Sequence, residues 1–248
     1  MMYGEMQHPC HPEHKLKPEN KETPYTCYGC CEIGFFTRYT CSGPSCNFYL
    51  HKDCVSPPDT TTHHFFPDCN FVFLTSGKPG RYCDACGRDI KGYVYHCFTC
   101  GNDLHPCCAS LPRFNEDDEI TLELKKKVSS KCNFCDKKEV RKGARTWSYV
   151  SKCKEYNFHI SCVKEMMLEN WEKEFLNNSN ARENGLQLER KAPSLQIKRS
   201  KNSKDKKGAG GFTKFMKMMK LAISFIVAAI VGDPTTMFAS IITSLITQ

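Results

Sequence analysis

Long apolar runs are scarce in this chain of 248 residues. The most conspicuous, residues 221–231, covers 11 positions, well short of the roughly 20 that span a bilayer. Gly232-Asp233-Pro234 then breaks it, so an uninterrupted membrane span is disfavoured. The opening segment, residues 1–14, is polar and lacks the apolar stretch of a secretory signal. An intracellular, cytoplasmic location is therefore expected, with nuclear or membrane association as variants, and disulfides would not persist there. Net charge is also missing from most of the chain. Residues 1–180 hold 23 basic and 23 acidic side chains, while residues 181–248 hold 12 and 4 and account for the whole formal charge of +8. An electrostatic partner should be sought at the C-terminal end alone.

What the chain has in abundance is cysteine, 18 residues with 9 His. Such usage means that thiol or metal chemistry organises the fold, and without an export route zinc is the stronger reading. The thiols recur in order. Cys27-x2-Cys30, Cys41-x4-Cys46 and His51-x2-Cys54 return as Cys83-x2-Cys86, Cys97-x2-Cys100 and His105-x2-Cys108. Upstream, His8, Pro12 and His14 correspond to His63, Pro67 and Cys69. A third copy keeps Cys132-x2-Cys135 and His159-x2-Cys162 with only Cys153 between them.

Cys-x2-Cys puts two thiolates on one turn, so both can reach one ion at about 2.3 Å. Two wirings are open: consecutive pairs share an ion, or outer and inner pairs alternate in a cross-brace. The third copy decides, because it has lost the middle pair and only the cross-brace leaves it a complete site. Five zinc ions are expected. One is held by Cys27, Cys30, His51 and Cys54, and its companion by His14, Cys41, Cys46 and His63. Another is held by Cys83, Cys86, His105 and Cys108, and a partner site by Cys69, Cys97 and Cys100. Asp117, placed after Cys108 as His63 is after Cys54, or a water would complete that site. The last is Cys132, Cys135, His159 and Cys162. Cys10, Cys31, Cys107 and Cys153 are left over as inert thiols.

The run His14-x12-Cys27-x2-Cys30, a Cys pair, then His51-x2-Cys54 resembles the diacylglycerol/phorbol-ester-type zinc module. The flanks His8-Pro9-Cys10-His11-Pro12-Glu13-His14 and Cys46-Asn47-Phe48-Tyr49-Leu50-His51 are similar to its divergent plant version, which occurs in tandem in a large cysteine/histidine-rich family. Trp147-Ser148-Tyr149-Val150, residues 157–166 and Gly232-Asp233-Pro234 extend the resemblance over nearly the whole chain. It implies an intracellular signalling or stress-response adaptor with protein partners. Segments 31–40 and 87–96, between the second and third Cys of each copy, are short and lack the lipid-reading features of diacylglycerol-binding relatives.

The expected fold is therefore a tandem of small zinc-stabilised α+β modules: cross-brace zinc fingers with short strands and little regular structure. The modules span 8–63, 64–118 and, degraded, 119–176. Residues 34–40 and 92–96, aromatic and β-branched, read as strands. Phe48, Tyr49 and Leu50 read as packing around the metal, and Val163, Met166, Met167, Trp171 and Phe175 fall at helical spacing. Modules this small cannot rely on an apolar core, whereas a structural zinc contributes about 10–16 kcal/mol per site. Residues 177–211 read as a disordered basic linker. Residues 212–248 read as a helical segment, with Lys214, Lys217 and Lys220 on one side. It suits a membrane interface, a docking helix, or packing on the modules.

Two rival functions are weighed against the adaptor reading. Thiol–disulfide exchange would use the Cys-x2-Cys pairs, but no βαβ pattern surrounds them and zinc-locked thiolates do not turn over. Diacylglycerol or membrane-lipid binding would follow from the resemblance. Specific nucleic-acid binding is disfavoured: the modules are neutral and show no base-reading helix, and Lys198, Arg199, Lys201, Lys204, Lys206 and Lys207 offer only non-specific phosphate contacts. No residue is singled out as catalytic, and no small-molecule substrate is indicated.

Overall fold

The computed structural model of the chain describes residues 4–113, 122–144, 146–183 and 209–231. Module one is an antiparallel sheet in the order β1 (Met6–His8), β2 (His11–Thr26), β3 (Ile33–Cys41), β4 (Tyr49–Leu50), closed by the one-turn helix α1 (Lys52–Val55). Module two repeats it with β5 (Thr60–His63), β6 (Phe66–Leu74), β7 (Val94–His96), β8 (Asp103–Leu104) and α2 (Pro106–Ala109). Module three keeps three strands, β9 (Leu122–Lys125), β10 (Ser148–Ser151) and β11 (Asn157–His159), and continues into the long helix α3 (Ile160–Glu183). The last described element is α4 (Ala209–Val231).

The repeat extends to individual contacts. Tyr39 pairs with Leu50, Tyr95 with Leu104 and Tyr149 with Phe158, and all six are buried. Tyr95 and Tyr149 both donate their hydroxyls, at 2.9 Å, to the carbonyl of a proline before their sheet, Pro58 and Pro112. These aromatic–aliphatic pairs give each mini-sheet one dry face. In module one Leu16, Tyr25, Tyr39, Phe48 and Leu50 pack directly around Cys27, Cys30, Cys41 and Cys54.

Two compact units emerge, one formed chiefly by residues up to Leu111 and the other chiefly by described residues from Pro112 to Ile226. The first unit joins modules one and two. The Tyr93 N–H donates to the Gly29 carbonyl at 2.8 Å, and the Tyr93 hydroxyl lies 2.6 Å from Cys10 Sγ. Two glycines permit this approach: a Cβ on Gly92 would sit 2.0 Å from the Gly29 oxygen, and one on Gly29 would sit 2.6 Å from the Tyr93 ring. The Ser110 hydroxyl adds a bond to the Asp53 carboxylate at 2.8 Å.

Boundaries differ from the sequence expectation in three places. Residues 60–63 form β5 of the second sheet and so do not close module one, because the β5–β6 hairpin repeats the β1–β2 hairpin. The second unit starts at Pro112, short of residue 119. The expected linker over 177–211 overlaps helix at both ends: residues 160–183 contain no Pro or Gly, so nothing stops α3 before Glu183.

Within the second unit α4 lies on the third sheet. Phe215 meets Tyr156 and Phe158 with ring centroids 5.9 and 6.0 Å apart, and Phe225 meets Tyr149 at 4.8 Å. Lys214 and Lys217 stay exposed while Phe215, Met218, Met219 and Ala222 are buried. Of the three placements open to this segment, packing is the one adopted by residues 213–226. No helix among the described residues is long and apolar enough to cross a membrane.

Candidate metal centres

Three centres share one construction. Each begins with a Cys-x2-Cys knuckle in which the N–H of the next residue returns to the first cysteine's carbonyl. The bonds are Cys31 to Cys27 at 2.9 Å, Gly87 to Cys83 at 2.8 Å and Asp136 to Cys132 at 3.0 Å. That next residue takes a left-handed φ, +60° for Cys31, +77° for Gly87 and +55° for Asp136. Only glycine meets that turn without steric cost. The first cysteine's own N–H closes the loop on the carbonyl of Glu32, Arg88 or Lys137.

The second half of each centre is a strand end that turns into a helix, with the histidine at the corner. His51 Nδ1 lies 3.3 Å from Cys30 Sγ, His105 Nδ1 3.4 Å from Cys86 Sγ, and His159 Nδ1 3.4 Å from Cys135 Sγ. Each histidine's N–H also points at the first cysteine of its knuckle, at 3.4, 3.4 and 3.5 Å, a bond that favours the thiolate. The sets Cys27/Cys30/His51/Cys54, Cys83/Cys86/His105/Cys108 and Cys132/Cys135/His159/Cys162 each bring four donor atoms within 4.8 Å of one another. A tetrahedron with ligand bonds of about 2.0–2.3 Å has edges of about 3.3–3.8 Å, so the donors fit zinc. Outer pairs share a centre and middle pairs are skipped, which is cross-brace wiring.

The thiols of each set compete for charge. In the third module the Cys162 thiol, donating to Cys132, is the main influence holding Cys132 down at about 3, while Cys162 itself is pushed far up by that same bond. Burial raises Cys135 as well. Cys86 is held well below the ordinary thiol range, chiefly by its bond from Cys108, and Cys108 is driven up. One thiolate forms at its neighbours' expense because adjacent anions cannot all ionise unaided. No cysteine is in a disulfide.

A fourth centre is His11/His14/Cys41/Cys46. His11 Nε2 lies 3.2 Å from Cys41 Sγ and 3.5 Å from Cys46 Sγ, and the Gly43 N–H donates to Cys41 Sγ at 3.2 Å. His14 Nδ1 is buried with no hydrogen-bond partner, a lone pair suited to an ion. His63, expected as the fourth donor here, belongs to the second sheet instead. It pairs with Phe66 across a tight turn, as His8 pairs with His11. Its Nδ1 accepts the Phe65 N–H at 3.2 Å, as His8 Nδ1 accepts that of Cys10 at 3.2 Å. Both histidines fasten hairpin turns. The x2 spacing of His11 and His14, the same as in every Cys-x2-Cys pair, was the available signal that His11 joins this group.

The fifth centre holds three thiols, Cys69, Cys97 and Cys100. Cys69 Sγ and Cys100 Sγ are 2.9 Å apart, and Asn102 Nδ2 donates to Cys100 Sγ at 2.9 Å. The bond to Cys100 raises Cys69 to about 12; burial would raise Cys97 too, but hydrogen bonds from Cys100 and Cys69 bring it to about 7. Asp117, the candidate fourth ligand, lies outside the described residues. Cys10, Cys31, Cys107 and Cys153 join none of the five groups.

Module three has no second centre among the described residues. Ser151 takes the place of Cys97: its N–H closes on the Tyr156 carbonyl at 2.9 Å, as that of Cys97 closes on Asn102 at 3.0 Å. The Ser151 hydroxyl accepts the Tyr156 N–H at 3.1 Å and lies 3.3 Å from Cys153 Sγ. Apolar packing from α4 is what this module has where the others have a second donor group. No family model, curated protein or solved structure matches the chain at a significant level.

Proposed function

We propose that the chain is a zinc-stabilised interaction protein, an intracellular signalling or stress-response adaptor whose modules present surfaces to protein partners. The observation that carries this reading is the set of three repeated Cys3His centres, each with four mutually close donors. Two of them, at Cys27 and Cys83, have all four donors buried. Closed four-donor sites serve folding; catalytic zinc keeps an open position. The resemblance to tandem, divergent diacylglycerol/phorbol-ester-type modules supports the adaptor role. Lipid binding through those modules is a weaker variant, because segments 31–40 and 87–96 are short. Membrane contact through residues 212–248 would have to release the apolar side of α4 from the third sheet.

Thiol–disulfide exchange is the rival reading, and it would need the same sulfurs free. Zinc-loaded and chelator-stripped chains should be compared for insulin reduction in the presence of dithiothreitol, and for circular dichroism. The adaptor reading expects no catalysed reduction by the loaded chain and loss of structure on stripping. Catalysed turnover by the loaded chain would replace it with the oxidoreductase.

A further inference from the structure

We propose that the Cys69/Cys97/Cys100 centre holds its zinc with one coordination position open, and that this position accepts a thiolate from outside the chain. The inference rests on the zinc reading above. Its warrant is a difference between two copies of one hairpin. In module one the turn beginning at His8 delivers His11, whose Nε2 comes within 3.2 Å of Cys41 Sγ and completes a four-donor set. In module two the same turn, beginning at His63, delivers Phe66. That ring is buried against Phe71, edge-on at 5.5 Å, and has no donor to offer. Among the described residues the set stops at three sulfurs.

One edge of the three-sulfur set reaches the surface. Cys100 is exposed, whereas all four donors of the neighbouring Cys83 centre are buried. A zinc ion with three protein ligands keeps a fourth position for an external one. Three soft sulfurs make another soft donor the matched partner. The knuckle is held from outside: Asn102 donates to Cys100 Sγ, and the Arg81 guanidinium, paired with Asp103, grips the Gly101 carbonyl. Among the described residues the other four groups each have four protein donors, so this is the one that can exchange a ligand without losing a protein donor.

The test uses the full reduced chain loaded with zinc. Ions are counted by native mass spectrometry, and their release to a chromogenic chelator is timed. Four ions should leave slowly and one at least about tenfold faster, since one protein donor is missing. In the cobalt-substituted chain, reduced glutathione should strengthen the sulfur-to-metal charge-transfer band by one thiolate's share, and S-methylglutathione should not. Phe66→His, which supplies the donor found in module one, should make all five ions slow and abolish the glutathione response. Cys97→Ser should remove the fast ion alone, and Asp117→Asn should leave its release unchanged. Five ions released at one slow rate, or a fast ion blind to glutathione, would overturn the inference. Three or four ions with the Cys69 centre empty would overturn it as well, and two ions or fewer in the unaltered chain would instead sink the zinc reading beneath it.

Discussion

The carboxylate of Glu32 stands 3.9 Å from Nε2 of His105, and both side chains are buried. Glu32 follows the Cys27–Cys30 knuckle of module one, while His105 presents Nδ1 to the thiols of module two. At this distance, beyond hydrogen-bond reach, the carboxylate acts through its charge: it favours the proton on the far nitrogen and leaves Nδ1 as the ligand atom. The two modules thus share a coordination environment as well as a surface. Glu32→Gln should weaken zinc at the Cys83 centre by about 10–100-fold, with the Cys27 ion little affected. Chelator competition on the variant would reveal this, and equal affinity at both centres would refute the coupling.

The hairpin histidines have separable roles. His11→Ala removes a donor from the His14/Cys41/Cys46 centre and should cost that ion. His63→Ala removes a turn fastening and the ring's contacts with its aromatic neighbours, and should keep every ion. Its stability cost should be about 1–3 kcal/mol for a buried hydrogen-bonding group lost. Ion counts by native mass spectrometry, beside thermal melts, separate the two. Loss of an ion in His63→Ala would return His63 to the ligand set.

Module three should depend on α4 where its siblings depend on a second ion. Phe215 is 1% exposed and lies on Tyr156 and Phe158. Phe215→Ala should destabilise this unit by about 3–5 kcal/mol while the ion count stays unchanged. A melt identical to that of the parent chain would mean that the helix contributes nothing to the module.

Gly92 is constrained by its neighbour's backbone. A methyl group there would collide with the Gly29 oxygen, which the Tyr93 N–H bond holds in place. Gly92→Ala should pry the first two modules apart and make trypsin cut between them faster, with both Cys3His ions retained. Unchanged digestion would show that the junction yields without consequence.

Much of the candidate site was legible in the sequence because metal geometry is local and stringent. A Cys-x2-Cys turn and a His-x2-Cys corner look alike wherever they occur, and the broken third copy revealed how they pair. The strand expected at residues 34–40 appears as β3, that at 92–96 appears only over Val94–His96 as β7, and Phe48 and Leu50 pack beside the Cys27 cluster as expected. His63 misled because counting forward from Cys54 is blind to hairpins; the register His63↔Phe66 assigns it to the next sheet. The Gly29–Gly92 junction left no periodic trace, since it joins residues far apart in the chain. The segment that became α4 has an amphipathic pattern that several environments satisfy, and only the aromatic faces of Tyr149 and Phe158 select among them.

The central claim is that the cysteines and histidines hold ions in cross-brace pairs. Native mass spectrometry of the reduced, chelator-washed and zinc-reconstituted chain tests it most directly. Five zinc ions are predicted, in line with the five donor groups, with Cys132→Ser losing one and leaving the other four. Two ions or fewer, with disulfides appearing in the mass, would contradict the account and move thiol–disulfide chemistry to the front.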